Sequence, residues 1–225
     1  MSEISKMIEE LCPEGVEYKK LGEITIWNKK FKGVDKSLQL KINPINSVQS
    51  SDLDKMKSTG DIFLLYSGTD SGYTNESKAK GKINEREIIS IPEGKSSPLI
   101  NVIKYYKGKF VSSNNLVCSS LNEDKLILKY LYYYLCNISE TIDEYYNGNS
   151  LKHPVMPKIL EIEIPVPPLP IQEKIVEILD KFAELEAELE AELEAELEAR
   201  KLQYSHYRNQ LFNFNKIEVH GGGDT

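Results

Sequence analysis

Side chains that commonly carry out chemistry are few and scattered in this 225-residue sequence. The three histidines, His153, His206 and His220, are not spaced with one another or with other donors as a metal site requires. Glu14 and Glu17 ahead of Lys19 resemble a nuclease carboxylate–lysine set. Only two residues separate the acids, too few to place them on two strands around one Mg²⁺. Asn43-Pro44-Ile45-Asn46 lacks the second proline and the aromatic ring with which a base-flipping methyltransferase holds its target. Ser67-Gly68-Thr69-Asp70-Ser71-Gly72 is not followed by the Gly-Lys-Ser/Thr of a phosphate loop. These absences argue against a self-contained active site, a bound metal or a cofactor.

What remains suits recognition. The stretch Leu65–Lys82 mixes glycines with Tyr66, Thr69, Asp70, Ser71 and Tyr73, which have the donors and acceptors to reach base edges. Lys78, Lys80 and Lys82 follow as phosphate contacts, and Lys29, Lys30 and Lys32 form a second cationic group. Asn147, Asn149 and Lys152 make a further polar loop of the same kind. The composition also describes an ordinary solvated loop, so charge and patterning must be weighed with it.

The net charge of −7 looks wrong for a nucleic-acid binder, but it is unevenly placed. Residues 1–165 hold 22 basic and 22 acidic side chains, and residues 166–225 hold 6 and 13. Within the neutral part, residues 19–57 carry 9 lysines against 4 acids, and residues 78–109 carry 8 basic groups against 3. Such local excess makes an electrostatic footprint for phosphates. No apolar run approaches the ~20 residues that cross a bilayer. Residues 1–10 are polar and acidic, unlike a signal peptide. With an odd number of well-separated cysteines (Cys12, Cys118 and Cys136), this points to a cytoplasmic chain with reduced thiols.

The elements that must position these residues follow from periodicity. Ile4, Met7, Ile8 and Leu11 predict a short helix ending at Cys12-Pro13. Strands are predicted at 24–27, 38–42, 61–66, 87–91, 99–105, 110–112, 116–118 and 161–166. A buried Leu/Tyr-rich helix is predicted over 123–137, with a second helix or a loop over 138–149. The fold class is α+β: a globular mixed α/β domain (residues 1–168), then a long projecting coiled-coil helix (169–214) and a tail (215–225).

That helix is the strongest signal. Pro170 suits a first turn, Gln172 and Glu173 lie near the positive end of the dipole, and nothing breaks the pattern before about Asn213. About 44 residues at 1.5 Å each give roughly 66 Å. Ile171, Ile175, Ile178, Phe182, Leu185 and Leu189 step by 4, 3, 4, 3, 4, a heptad seam for a homodimer. Leu193 and Leu197 then step by four, because Glu-Leu-Glu-Ala is written four times in succession. A period of four overshoots 3.6, so these leucines creep about 40° per repeat. A solvated single helix is the competing reading of such a repeat.

Here the residues resemble a family. "IEIPVPPLPIQEKIVEILDKF" (162–182), a helical spacer, and "EARKLQYSHYRNQLFNF" (198–214) look like the central conserved region of specificity subunits of type I restriction–modification systems. "MSEISKMIEELCPEGVEYKKLGEI" (1–24) resembles the entry to that family's target recognition domain. "GDIFLLYSGTDSG" (60–72), "FVSSNNLVCSS" (110–120) and "YYNGNSLKHPVMPKILEIEIPVP" (145–167) sit where its weaker signatures lie. The resemblance implies a non-catalytic subunit that reads a bipartite site in double-stranded DNA. Partner methyltransferase subunits would bring S-adenosylmethionine and modify adenine, and restriction (motor) subunits would join for cleavage. Members usually carry two recognition domains and two helical regions, and this chain carries one of each. A half-size subunit would pair with itself and read a symmetric target, the repeat setting the separation of the two domains. The rival from another class is a coiled-coil adaptor whose globular head binds protein.

Overall fold

The computed structural model describes residues 3–214. The chain divides into two compact units, Met1–Glu177 and Ile178–Thr225. The predicted tail 215–225, with His220, lies outside the described residues. The architecture is mixed α/β with a long C-terminal helix, as the sequence predicts.

The head opens with α1 (Glu3–Leu11), β1 (Tyr18–Lys20), α2 (Leu21–Ile24) and β2 (Thr25–Trp27). Next come α3 (Ser50–Met56), β3 (Ile62–Leu65), β4 (Tyr73–Thr74), β5 (Asn84–Pro92), β6 (Lys104–Ser112) and β7 (Asn115–Ser120). The remainder is α4 (Leu128–Asn137), α5 (Ser139–Asp143), β8 (Tyr146–Asn147), β9 (His153–Pro154), α6 (Met156–Ile159), β10 (Glu163–Pro165) and α7 (Leu169–Leu211). Six strands form one sheet in the order β2-β7-β5-β6-β3-β4, antiparallel except for the β3–β6 pair. β1 pairs with β10 and β8 with β9.

The register requires a strongly coiled sheet. Asn84 at the start of β5 faces Phe110, and Pro92 at its end faces Asn115. In a straight strand those β5 residues would lie about 26 Å apart. Phe110 and Asn115 are five residues apart and reach about 17 Å at most. β5 must therefore curl so that the short 113–114 link can pass from β6 to β7. Gly108, opposite Arg86 in β6, takes φ +136°, a conformation that side chains rarely adopt.

Ile89, Ile91, Leu116 and Cys118 from the sheet pack with Leu128, Leu131 and Leu135 of α4 and with Trp27. The α4 residues recur at three- and four-residue steps, so one face of the helix meets the core. Burial pushes the Cys118 thiol up to about 12, which keeps it unreactive.

Several predicted elements differ: the strand predicted at 99–105 is a 3₁₀ turn, Leu99–Asn101, ahead of β6, and the separate strand predicted at 110–112 is the end of β6. α4 starts at Leu128 rather than 123, because the Lys125 carbonyl and the Ile127 amide are both bound by the Gln172 side chain. The predicted strand 38–42 is a 3₁₀ turn, Lys36–Leu38, capped by Asp35, followed by a loop that touches the sheet at Ile42.

Among the described residues, no helix is long and apolar enough to cross a membrane.

Candidate nucleic-acid interface

Three loops leave the sheet around one residue. The Asn115 Nδ2 donates to the Leu65 carbonyl (2.9 Å), and the Asn115 carbonyl accepts from Asn28 Nδ2 (3.2 Å). Asn28 is locked in turn, its Oδ1 accepting from the Val117 amide at 3.0 Å. Leu65 ends β3, Asn28 follows β2, and Pro92, opposite Asn115, ends β5. The chain segments that begin at Asn28, Tyr66 and Glu93 therefore start from the same end of the sheet.

The first segment carries Lys29, Lys30 and Lys32. Gln39 shapes it from the side: its Nε2 donates to the Lys29 carbonyl (2.7 Å) and its Oε1 accepts from the Phe31 amide (2.9 Å). Phe31 packs edge-on against Trp27, ring centroids 5.6 Å apart. Lys30 and Lys32 are exposed, while Lys29 pairs with Glu93. Glu93 also reaches the end of the loop 147–152, because its carbonyl lies 2.8 Å from His153 Nδ1. A carbonyl only accepts, so Nδ1 carries the proton that it donates here. The lysines, Glu93 and His153 line a concavity of about 300 Å³.

The loop 147–152 stands on Lys95. Its main chain exchanges two 2.9 Å hydrogen bonds with Lys152. The Lys95 ammonium is buried and pairs with Asp143 at 2.7 Å, lying 4.6 Å from the Tyr146 ring centre. Asn147, Asn149 and Lys152 are exposed on this mount. The structure thus brings them together with the 29–32 lysines, through Glu93 and His153, although more than a hundred residues intervene.

The 66–82 stretch divides. Thr69, Asp70 and Ser71 are exposed in a loop pinned by Lys104, whose Nζ donates to the carbonyls of Tyr66 and Asp70 (both 2.9 Å). Burial lowers the Lys104 pKa. Tyr73 is half exposed on the edge strand β4, its ring 5.8 Å from Phe63. Tyr66 is a correction: it is 5% exposed, its hydroxyl donates to Asp54, and burial pushes its pKa to about 12. It is a core residue that supports the loop and does not present a group to a base. Lys78, Lys80 and Lys82 follow β4 at the opposite end of β3, and Lys78 bonds the Lys57 carbonyl beyond α3. They are exposed but belong to a different patch from the 29–32 lysines.

The basic excess counted over 78–109 is also smaller in effect than in number. Arg86 bonds the carbonyls of Asn43 and Pro44, Lys95 and Lys104 are held internally, and Lys107 and Lys109 pair with glutamates. The concavity of about 560 Å³ near Leu11 and Pro168 offers no alternative phosphate site. Glu17, Glu23 and Asp124 there outnumber Lys19 and Lys125. Among the described residues no group of three His, Cys, Asp or Glu side chains is placed to hold a metal ion.

The family model of the type I restriction modification DNA specificity domain matches residues 13–199. This chain belongs to that family. It is 30% identical over 226 residues to the specificity subunit of an Escherichia coli type I restriction enzyme, covering 97% of this chain and 50% of that protein. It is 35% identical over 114 residues to a specificity subunit from Mycoplasma pneumoniae, covering 50% of this chain and 34% of that one. The chain thus spans half or less of the length of these relatives. The fold is similar to that of the type I S subunit of M. genitalium, with TM-score 0.57 and 17% identity over 88% of this chain and 47% of that one.

In this specificity domain the predicted helical seam is split. Ile171 is fully buried in the head, so it is not available to a second helix, and Ile175 is partly buried against the same core. This is a second correction, and its cause is Gln172. Also fully buried, Gln172 accepts from the Ile127 amide (2.8 Å) and donates to the carbonyls of Lys125 (2.8 Å) and Pro167 (2.7 Å). The first turns of α7 are therefore part of the head. Ile178 is half-buried, and Phe182, Leu185, Leu189, Leu193 and Leu197 are all more than half exposed. Sequence reasoning missed Asn28, Gln39, Asn115 and Gln172 as positioning residues. An amide side chain reveals its partners only once the fold is known, although Asn115 and Gln172 both lie in the family-like stretches.

Proposed function

We propose that this chain is a DNA-recognition component of a type I restriction–modification complex, without catalytic residues of its own. It reads double-stranded DNA through the loops 28–32, 67–73 and 147–152, with Lys78, Lys80 and Lys82 touching phosphates further out. Partner methyltransferase subunits perform the adenine chemistry, and restriction subunits join them for cleavage. Two copies pair through α7 from Ile178 onward and read a symmetric bipartite target, the head and the helix acting as separate domains. The family match over residues 13–199 supports the DNA reading. The meeting of the 28–32 and 66–73 segments at Asn115, with the loop 147–152 joined to the first through Glu93 and His153, is the observation that carries the site. Five large apolar side chains from Phe182 to Leu197, each more than half exposed, support the pairing.

The test is the salt dependence of DNA binding. Replacing Lys29, Lys30 and Lys32 by alanine removes two to three phosphate contacts, since Lys29 is already paired with Glu93. Each lost contact lowers the slope of log K against log salt by about 0.9. The slope should therefore fall by about 2 to 3 and affinity should drop for every sequence. An unchanged slope refutes the assignment of these lysines.

A further inference from the structure

Among the apolar residues of the head, Leu40 is the most exposed, at 77%. It is not on a loose loop. Leu38 and Gln39 before it are 3% and 7% exposed. Gln39 is bolted to Lys29 and Phe31, and after Leu40 the chain returns to the sheet, with the Asn43 amide donating to the Trp27 carbonyl at 2.8 Å. Arg86 then grips the carbonyls of Asn43 and Pro44. A leucine is thus held out at the tip of a loop anchored on both sides, joined by Gln39 to the lysine loop of the candidate interface.

Its surroundings select the occupant. Residues 29–41 contain Lys29, Lys30, Lys32, Lys36 and Lys41 against one acid, Asp35. Lysine is depleted at the cores of protein–protein interfaces, so an apolar tip on such a lysine-rich segment fits a protein partner poorly. It fits a duplex well: cations meet the phosphates on either side while an apolar side chain enters between base pairs.

We propose that Leu40 is a wedge that inserts at one base step of the bound DNA, partly unstacks it and bends the duplex. This rests on the DNA-recognition reading above. Unstacking costs least at a flexible pyrimidine–purine step, so Leu40 contributes to specificity by favouring such a step where it enters. The energy of burying the leucine is largely offset by the unstacking it causes. Removing the side chain therefore changes affinity by less than about tenfold while abolishing the distortion.

The experiment uses the full chain and a short duplex carrying its target, first mapped by the positions of methylated adenine formed with its methyltransferase subunits. 2-Aminopurine replaces each adenine in turn, and a second duplex carries a fluorophore pair at its ends. With the native chain, fluorescence should rise severalfold at one step and the ends should draw together. Leu40→Ala should lose both signals and keep the native salt slope, since the lysines are intact. Leu40→Phe should retain both. The wedge is overturned if the native chain binds without either signal, or if Leu40→Ala gives both unchanged. Absence of binding by the native chain would overturn the DNA reading, and the wedge with it.

Discussion

Gln172 is the residue on which the head's grip on α7 most depends, and replacing it gives a calculable loss. Gln172→Ala leaves the Ile127 amide and the carbonyls of Lys125 and Pro167 without their partner. A buried group left unsatisfied costs about 1–3 kcal/mol. The Pro167 contact is buried, so its loss costs about 2 kcal/mol, in the middle of that range. The contacts to Ile127 and Lys125 are part-buried, where solvent replaces the lost partner and the cost is about 1 kcal/mol each. The sum is about 4 kcal/mol, a large fraction of the 5–15 kcal/mol that holds a typical domain together. With a urea m-value of about 2 kcal/mol/M, the unfolding midpoint should fall by about 2 M. Gln172→Glu sharpens the test. An ionised carboxylate still accepts from Ile127 but turns its other oxygen toward two carbonyls, so its folded pKa is raised by burial and repulsion. A raised carboxyl pKa means that the folded state binds the extra proton, so stability of this variant should rise as pH falls through that pKa. Denaturant melts of native and variant chains at neutral and mildly acidic pH give both numbers. A Gln172→Ala midpoint within about 0.3 M of native, or a Gln172→Glu variant that tracks the native chain at every pH, would refute the role assigned to this side chain.

The helix yields two further predictions. Leu189→Glu should dissociate the proposed dimer in sedimentation without unfolding the head, because Leu189 is 57% exposed in the single chain, whereas Ile171→Asp should unfold the head because Ile171 is fully buried. If both variants remain dimeric, α7 is not the interface. Removing one Glu-Leu-Glu-Ala unit shortens α7 by about 6 Å, which should narrow the gap between methylated half-sites by about one to two base pairs and leave the half-sites unchanged. Mapping sites for three, four and five units would expose a gap that does not follow the repeat number.

How much of this was legible in the sequence varies by element. The long helix was readable almost to the residue, since period and capping act locally: it runs Leu169–Leu211 where breakers had placed it between Pro170 and about Asn213. The strands 62–65 and 115–120 were readable for the same reason, as short apolar runs closed by Gly, Asn and Ser. The lysines at 29–32 and the polar loop at 147–152 were each visible as candidates. That they share a site depends on Glu93, Lys95 and His153, contacts that join parts of the chain about sixty residues or more apart and leave no local pattern.

Burial was the other unknown. Tyr66 reads as a loop aromatic until Asp54 is found to accept its hydroxyl, and Lys95 and Lys104 read as surface charge until their carbonyl and carboxylate partners appear. The heptad arithmetic that joined Ile171 to Leu189 could not tell which of those residues the head had already claimed. Sequence by itself determined most of the elements, the family and the presence of a long C-terminal helix, because propensity, periodicity and repeat length are properties of neighbouring residues. Only the tertiary structure decided which charges are available, which loops meet at Asn115 and where the exposed part of α7 begins, because each of these depends on which distant groups fill the same space.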